Sequence, residues 1–294
     1  MRLEMQVIKA SDGTELFVRS YSPETAGNDR TLFWVHGLGE HGGRHEHVAE
    51  LLVEHGWRLI IPDLRGHGRS SGVRTHVRSF DEYVSDVALI WQHLELVGER
   101  TTLLGHSMGG LVAVRTVQSG RISPSSLVLS SPLLGLKLYV NPVSVLLGSI
   151  LVPIISTVRF PNGVDAGNMT HDPEFAEMRR QDRLIDKTVT AGWYFAMRRA
   201  LVEARQAAHT VKLPVFALQG SLDRTTDPDA MSLWWERIQS TEKTLVMLED
   251  HFHELFFESD WRDTTMEMLE WLDRRNPHRF PESHDEEDRP IAAS

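Results

Sequence analysis

The segment Gly105-His106-Ser107-Met108-Gly109-Gly110 stands directly after the apolar run Thr101 to Leu104 and directly before the run Leu111 to Val117. A strand, a Gly-x-Ser-x-Gly turn and a helix in that order present a serine hydroxyl at the end of a strand, where it can attack a carbonyl carbon. The flanking glycines suit a turn so sharp that side chains would strike the neighbouring strand and helix. A serine hydroxyl is a poor nucleophile at neutral pH and needs a base poised near pH 7, a task that suits histidine. The histidine in turn needs an acid to fix its tautomer and stabilise the imidazolium. The chain contains no cysteine, so thiol nucleophiles, disulfides and cysteine–zinc sites are excluded and serine and histidine chemistry remains.

On such an elbow the acid and then the histidine follow the serine along the chain, on loops after late strands. Asp223, in Gln219-Gly220-Ser221-Leu222-Asp223, follows the run Pro214 to Leu218 and is the acid candidate. Its rival Asp227 precedes Pro228 and a helical run, the pattern of an N-cap with proline at the first helical position, and Asp229 falls in that helix's first turn. The base is expected in Asp250-His251-Phe252-His253-Glu254-Leu255, with His253 preferred to His251 because it leads a short helical segment. A metal reading of the two histidines is poor, since no third ligand lies near and no second cluster is evident. The oxyanion hole is expected from the backbone N–H groups of Met108, after the nucleophile, and Leu38, in His36-Gly37-Leu38-Gly39. His36, His41, His67 and His106 are expected to shape loops.

The elements that must hold these residues alternate in type. Met5 to Ile8 and Leu16 to Tyr21 flank the turn signal Ser11-Asp12-Gly13 and predict a β-hairpin. Strands are then predicted at Thr31 to Val35, Trp57 to Ile61, Thr101 to Leu104, Ser126 to Ser130, Pro214 to Leu218 and Lys243 to Leu248. Their continuous apolar character suits a parallel sheet covered on both faces. Helices are predicted at Arg44 to His55, Asp81 to Leu96, Met108 to Gln118, Pro228 to Ile238 and Trp261 to Arg274, which makes an α/β fold. The alternation stops at Pro132 and resumes near Pro214, an interval too long and too helical for a loop. It is read as a cap, residues 133–209, inserted into a core formed by 1–132 and 210–276. Within it Leu133 to Ile155 is apolar but broken by Lys137, Asn141, Pro142 and Pro153, short of a membrane span. Two readings stay open for it: a helix packed on the body, or an apolar lip that takes acyl chains or touches a membrane surface transiently. Asp172 to Arg205 reads as a solvated helical arm.

The 294 residues, 24% charged and 41% hydrophobic, fit one large soluble domain with an insertion. A formal net charge of −10 argues against a nucleic-acid partner and against a basic patch on anionic lipid. The amino terminus lacks the apolar core of a secretory signal, so a cytoplasmic location is expected. Residues 277–294, with the acidic run Glu282 to Asp288, read as a disordered tail.

Taken as a set, His36-Gly37-Leu38-Gly39-Glu40-His41-Gly42-Gly43-Arg44, the turn Asp63 to Ser70, the Ser107 elbow, Leu218 to Arg224 and His253-Glu254-Leu255 resemble the monoacylglycerol lipases and lysophospholipases of the serine-aminopeptidase-like α/β-hydrolase family. The likeness spans about Phe17 to Trp271. It implies a mostly parallel eight-stranded sheet with helices on both faces, an inserted helical cap whose apolar wall receives a fatty acyl chain, the triad Ser107, Asp223 and His253, and no cofactor. It also implies that Glu40 and Arg44 lie near a glycerol group. The monoacylglycerol-lipase branch carries a polar residue three positions after the catalytic histidine, where this chain departs with Phe256. The expected substrate is a small-molecule acyl ester. The alternatives are a small-ester or thioester hydrolase and a non-catalytic hydrolase-like binding protein; oligomeric state is left open.

Overall fold

The structure is a computed structural model that describes residues 1–24, 30–137, 150, 152, 154 and 156–276. Its first two strands, β1 (Arg2–Lys9) and β2 (Glu15–Ser22), form the expected antiparallel hairpin. They are followed by β3 (Thr31–Val35), a 3-10 turn at Gly42–His45, α1 (Glu46–Glu54), β4 (Arg58–Pro62) and α2 (Asp81–His93). Next come β5 (Thr101–His106), α3 (Met108–Ser119) and β6 (Ser126–Ser130). The interval before the next core strand carries β7 (Arg159–Pro161), α4 (Pro173–Gln181), β8 (Thr188–Thr190) and α5 (Ala191–Gln206). The chain returns with β9 (Val215–Gly220), α6 (Pro228–Arg237), β10 (Lys243–Leu248), a 3-10 turn at Leu255–Phe257 and α7 (Trp261–Arg275).

Eight strands form one sheet in the order β1-β2-β4-β3-β5-β6-β9-β10, parallel from β4 to β10 and antiparallel at β1 and β2. β7 and β8 pair separately. The apolar runs of the inner strands serve both faces by period-two alternation. Phe33, Val35, Leu103, Leu127, Leu129, Val215 and Ala217 pack with α2, α3, α5 and α6 on one face. Leu32, Trp34, Leu104, Val128, Phe216 and Leu218 pack with α1 and α7 on the other. β3 pairs with β4 on one side and β5 on the other, so strand order reverses there. Open α/β sheets bind ligands at the carboxyl ends of strands on either side of such a reversal. His36 and Ser107 follow those two strands directly.

The arm expected at Asp172 to Arg205 is not solvated throughout. α5 buries Trp193, Ala196, Met197, Ala200, Leu201 and Ala204 in the core beside α3. These positions make a helical stripe at i, i+3, i+4, i+7, i+8 and i+11. Arg198, Arg199, Glu203 and Arg205 on the remaining faces raise the charge of the segment and mask that stripe in the sequence. α4 does carry a charged surface and buries only Ala176 and Arg179. Caps are local: Asp172 accepts from the Glu174 and Phe175 N–H groups ahead of Pro173, Thr190 from Trp193, and Asp227 from Asp229 ahead of Pro228. Most of the apolar segment Leu133 to Ile155, and the acidic tail 277–294, lie outside the described residues. Among the described residues no helix is long and apolar enough to cross a membrane.

Arg65, in the turn after β4, joins three elements. It makes paired bonds of 2.6 Å to Asp86 on α2, and bonds of 2.8 Å to Glu82 and to Asp12 in the β1–β2 turn. Asp86 is buried, so removing its partner leaves a buried carboxylate uncompensated. Arg65→Ala is expected to destabilise the fold by about 3–5 kcal/mol in urea unfolding; a loss below about 0.5 kcal/mol, as for an ordinary surface substitution, would contradict this assignment.

Candidate active site

Ser107 joins β5 to α3 with φ 54° and ψ −121°, a conformation that costs a non-glycine residue energy and is kept only where the surroundings impose it. The surroundings do so by contact. A Cβ on Gly105 would stand 2.3 Å from the Gly109 carbonyl oxygen, and one on Gly109 would stand 2.0 Å from that of Val35. Strand, elbow and helix are thus closer than any side chain at those two positions allows. Ser107 lies in the wall of a cleft.

His253 follows β10 by a short loop and stands just before the 3-10 turn; its Nε2 is 2.8 Å from Ser107 Oγ. Its Nδ1 is 2.8 Å from Asp223 Oδ2. Asp223, after β9, is fully buried and accepts in addition from Thr226 Oγ1 at 2.6 Å, Gln219 Nε2 at 3.1 Å, Thr225 N at 2.7 Å and Thr226 N at 3.0 Å. Burial alone would raise its pKa, but the His253 imidazole and these donors outweigh it and hold the carboxyl well below the usual range. A carboxylate can only accept, so Nδ1 carries the proton and Nε2 is left to accept from the serine. The structure therefore brings Ser107, His253 and Asp223 into one hydrogen-bonded line. It leaves the rivals outside: Asp227 caps α6, and His251 faces Asp260 at 3.0 Å.

Leu38 and Met108 line the same cleft, and their N–H groups take no part in the backbone hydrogen bonds of the surrounding loops and turns. The loop bearing Leu38 is fixed from both sides. His36 donates from Nδ1 to the Gly37 carbonyl at 2.7 Å while its Nε2 accepts from Leu64 N at 2.9 Å. Glu40 Oε1 accepts from Gly37 N at 2.6 Å. In a trans peptide the Gly37 carbonyl and the Leu38 N–H point oppositely, so holding the first aims the second. His106 is held by Ser130 at 3.1–3.2 Å, and His41 by Asp182 at 2.8 Å. The His36 and His41 contacts hold loops, whereas His106 joins the paired ends of β5 and β6.

Glu40 lines the cleft, and the Arg44 guanidinium bonds to two carboxylates: to Glu40 at 2.5 Å, and in a paired bond to Glu254 at 2.8 and 2.9 Å, stacked over Phe257. Burial raises the pKa of both acids, yet His45 and Arg44 keep Glu40 ionised, and Arg179 and Arg44 hold Glu254 down to about 2. The polar wall of the cleft is completed by Arg179 from α4, which bonds to Glu254. Sequence reading missed Arg179 and Glu254. Glu254 adjoins His253 and was there to be found; Arg179 carries no local signal. Phe256 lies in the core edge-on to Trp34 and not in the cleft wall. Leu133, Leu136, Val164, Met169 and Trp193 make an apolar part of the wall, with Asn162 and Thr225 beside them. Among the described residues no group of three or more His, Cys, Asp or Glu could hold a metal ion.

A sequence profile described as serine aminopeptidase, S33, matches residues 26–260. The chain belongs to that family. Human monoglyceride lipase is 30% identical over 256 residues, covering 83% of this chain and 82% of that enzyme. Phospholipase YtpA of Bacillus subtilis is 29% identical over 232 residues, 78% of this chain and 89% of the relative. An uncharacterized abhydrolase domain-containing protein of Dictyostelium discoideum is 29% identical over 270 residues, and there the chain spans only 28% of the relative's length. Among solved structures, the monoacylglycerol lipase of Paleococcus ferrophilus superimposes with a TM-score of 0.81 at 28% identity, over 89% of this chain and 99% of that one. The S33 chain is thus a monoglyceride lipase-like enzyme with the α/β-hydrolase fold.

Buried His36, His67 and His106 and half-buried His47 are held in the neutral form. Burial pushes His36, His47 and His106 down to about 4 and His67 to about 3, from an ordinary 6.5. The unfolded chain takes up these protons first, so the stability tied to them is present above about pH 6.5 and is lost as pH falls through about 4. Glu254 adds a loss at lower pH, from its ordinary 4.5 toward 2. Urea unfolding from pH 8 to pH 4 is expected to show stability falling steeply below pH 6.5; a flat profile across that range would contradict the neutral, buried state of the histidines.

Proposed function

We propose that this enzyme hydrolyses carboxylic esters of acyl lipids, with monoacylglycerols or lysophospholipids as the substrate class, through an acyl-enzyme on Ser107. The observation that carries the reading is the line Ser107 Oγ, His253 and Asp223, with 2.8 Å at each link. His253 Nε2 takes the Ser107 proton as Oγ bonds to the ester carbonyl carbon. The oxyanion accepts from the Leu38 and Met108 N–H groups, an interaction whose loss at one donor typically costs ~10²–10³ in turnover. The alkoxy bond then breaks, and His253 gives its proton to the departing alcohol. Water, deprotonated by His253, attacks the acyl-enzyme, and the acid leaves with Ser107 restored. Asp223 holds the ring and offsets its transient charge throughout.

The apolar wall of Leu133, Leu136, Met169 and Trp193 supports a fatty acyl chain, and residues 133–209 are proposed to act as the cap that closes over it. The names of the relatives favour the glycerol ester, and Glu40 in the cleft wall holds Arg44 beside it, while Phe256 stands where that branch carries a polar residue.

Hydrolysis of p-nitrophenyl and monoacylglycerol esters from short to long acyl chains tests the reading. Maximal kcat/KM is expected at medium or long monoacylglycerols, whereas cleavage of short activated esters alone would make this a small-ester hydrolase. Ser107→Ala is expected to lower kcat by about 10⁴–10⁶ and Asp223→Asn by about 10⁴, with folding intact. Full activity in Ser107→Ala would sink the mechanism.

A further inference from the structure

Arg179 is a buried cation in the wall of the Ser107 cleft that the acyl-transfer steps do not use. It is 6% exposed, and its guanidinium gives one N–H, from Nη1, to Glu254. Glu254 also accepts the paired bonds of Arg44, which Arg44 shares with a bond to Glu40. Nε and Nη2 of Arg179 have no acceptor among the described residues, and burial pulls the pKa of the group down. Guanidinium donors in a cleft wall that have no protein acceptor are open to an oxygen ligand.

Arg179 is a common wall of the Ser107 cleft and of an adjoining polar pocket. That pocket adds Lys187 and Arg180, which pairs with Glu177, together with two acids that have partners of their own. Asp186 is held by Arg74 at 2.6 Å, and Asp165 caps the Gly167 N–H at 2.7 Å. The side of the ester that meets this wall follows from the chemistry. His253 returns its proton to the departing alcohol, so the alcohol lies on the histidine's side, and Glu254 and Arg179 continue the wall from His253.

We propose that Arg179 binds an anionic group on the leaving alcohol, a phosphate or a carboxylate a few bonds from the ester oxygen, and so selects acyl esters of anionic alcohols over neutral monoacylglycerols. Two N–H donors on one edge of a guanidinium match two oxygens of either anion. The inference rests on the ester-hydrolase reading above and deepens it.

The full chain is assayed with 1-octanoylglycerol, 1-octanoylglycerol 3-phosphate and the octanoyl ester of 3-hydroxybutyrate. The expected result is a kcat/KM for one or both anionic esters about tenfold or more above that for the neutral one. Which arm is preferred distinguishes phosphate from carboxylate. The anionic-to-neutral ratio should fall toward one in Arg179→Gln and recover in part in Arg179→Lys. A wild-type ratio of one or less, or a ratio unchanged in Arg179→Gln, overturns the proposal. Calorimetric titration of the Ser107→Ala protein with glycerol 3-phosphate, 3-hydroxybutyrate and glycerol needs no turnover and no Arg179 variant. Tighter binding of either anion supports the subsite, and binding of neither, or of both no better than glycerol, overturns it. Cleavage of p-nitrophenyl octanoate with a flat ratio removes this inference alone. Failure to cleave any ester removes the ester-hydrolase reading, and the titration still decides the anion subsite.

Discussion

The arrangement depends on a backbone that no free peptide would choose. Ser107 holds φ 54° and ψ −121° because β5, α3 and the neighbouring β3 close on the elbow within distances that exclude a Cβ at Gly105 or Gly109. Such strain, of order 1–3 kcal/mol, is offset by the packing of the two core layers around it. Its effect is to lift a serine side chain off the end of a strand and to leave the Met108 N–H at an open helix end. The same close approach brings the His36–Leu38 loop alongside, since the Gly109 position abuts the Val35 carbonyl. Hydroxyl and amide donors are thereby fixed relative to each other before any substrate arrives, as electrostatic preorganisation requires.

Around that point the buried charges are arranged in balance. Glu40 and Glu254 face Arg44 and Arg179, two of each sign. A buried pair of this kind adds little net stability and penalises the loss of either member. Its use here is positional. Glu40 fixes the Gly37 N–H of the loop that bears Leu38, Glu254 is the next residue after His253, and Arg179 comes from α4. α4 is thus tied to the loop of the histidine by charge, while the apolar stripe of α5 packs in the core beside α3.

Much of this was legible in the sequence, and the reason is physical. The hairpin and six later strands are apolar runs bounded by turn residues, the elbow attaches directly to β5, and Asp223 and His253 lie on short loops after β9 and β10, so local pattern locates them. The N-cap reading of Asp227 rested on the following proline and separated it from Asp223 correctly. What stayed hidden depends on tertiary meeting. β7 and β8 are three residues each, too short for alternation to declare itself. The stripe of α5 was obscured by charges on its other faces. Arg179 meets Glu254 across 75 residues of chain, and Arg44 meets the same carboxylate.

The central claim is that Ser107 is a nucleophile activated by His253 and Asp223. Incubation of the full chain with a fluorophosphonate, followed by intact mass and peptide mapping, tests it most directly. The account predicts one adduct per chain, on Ser107, formed far more slowly in His253→Ala. No adduct on folded protein, or an adduct on another residue, would contradict it.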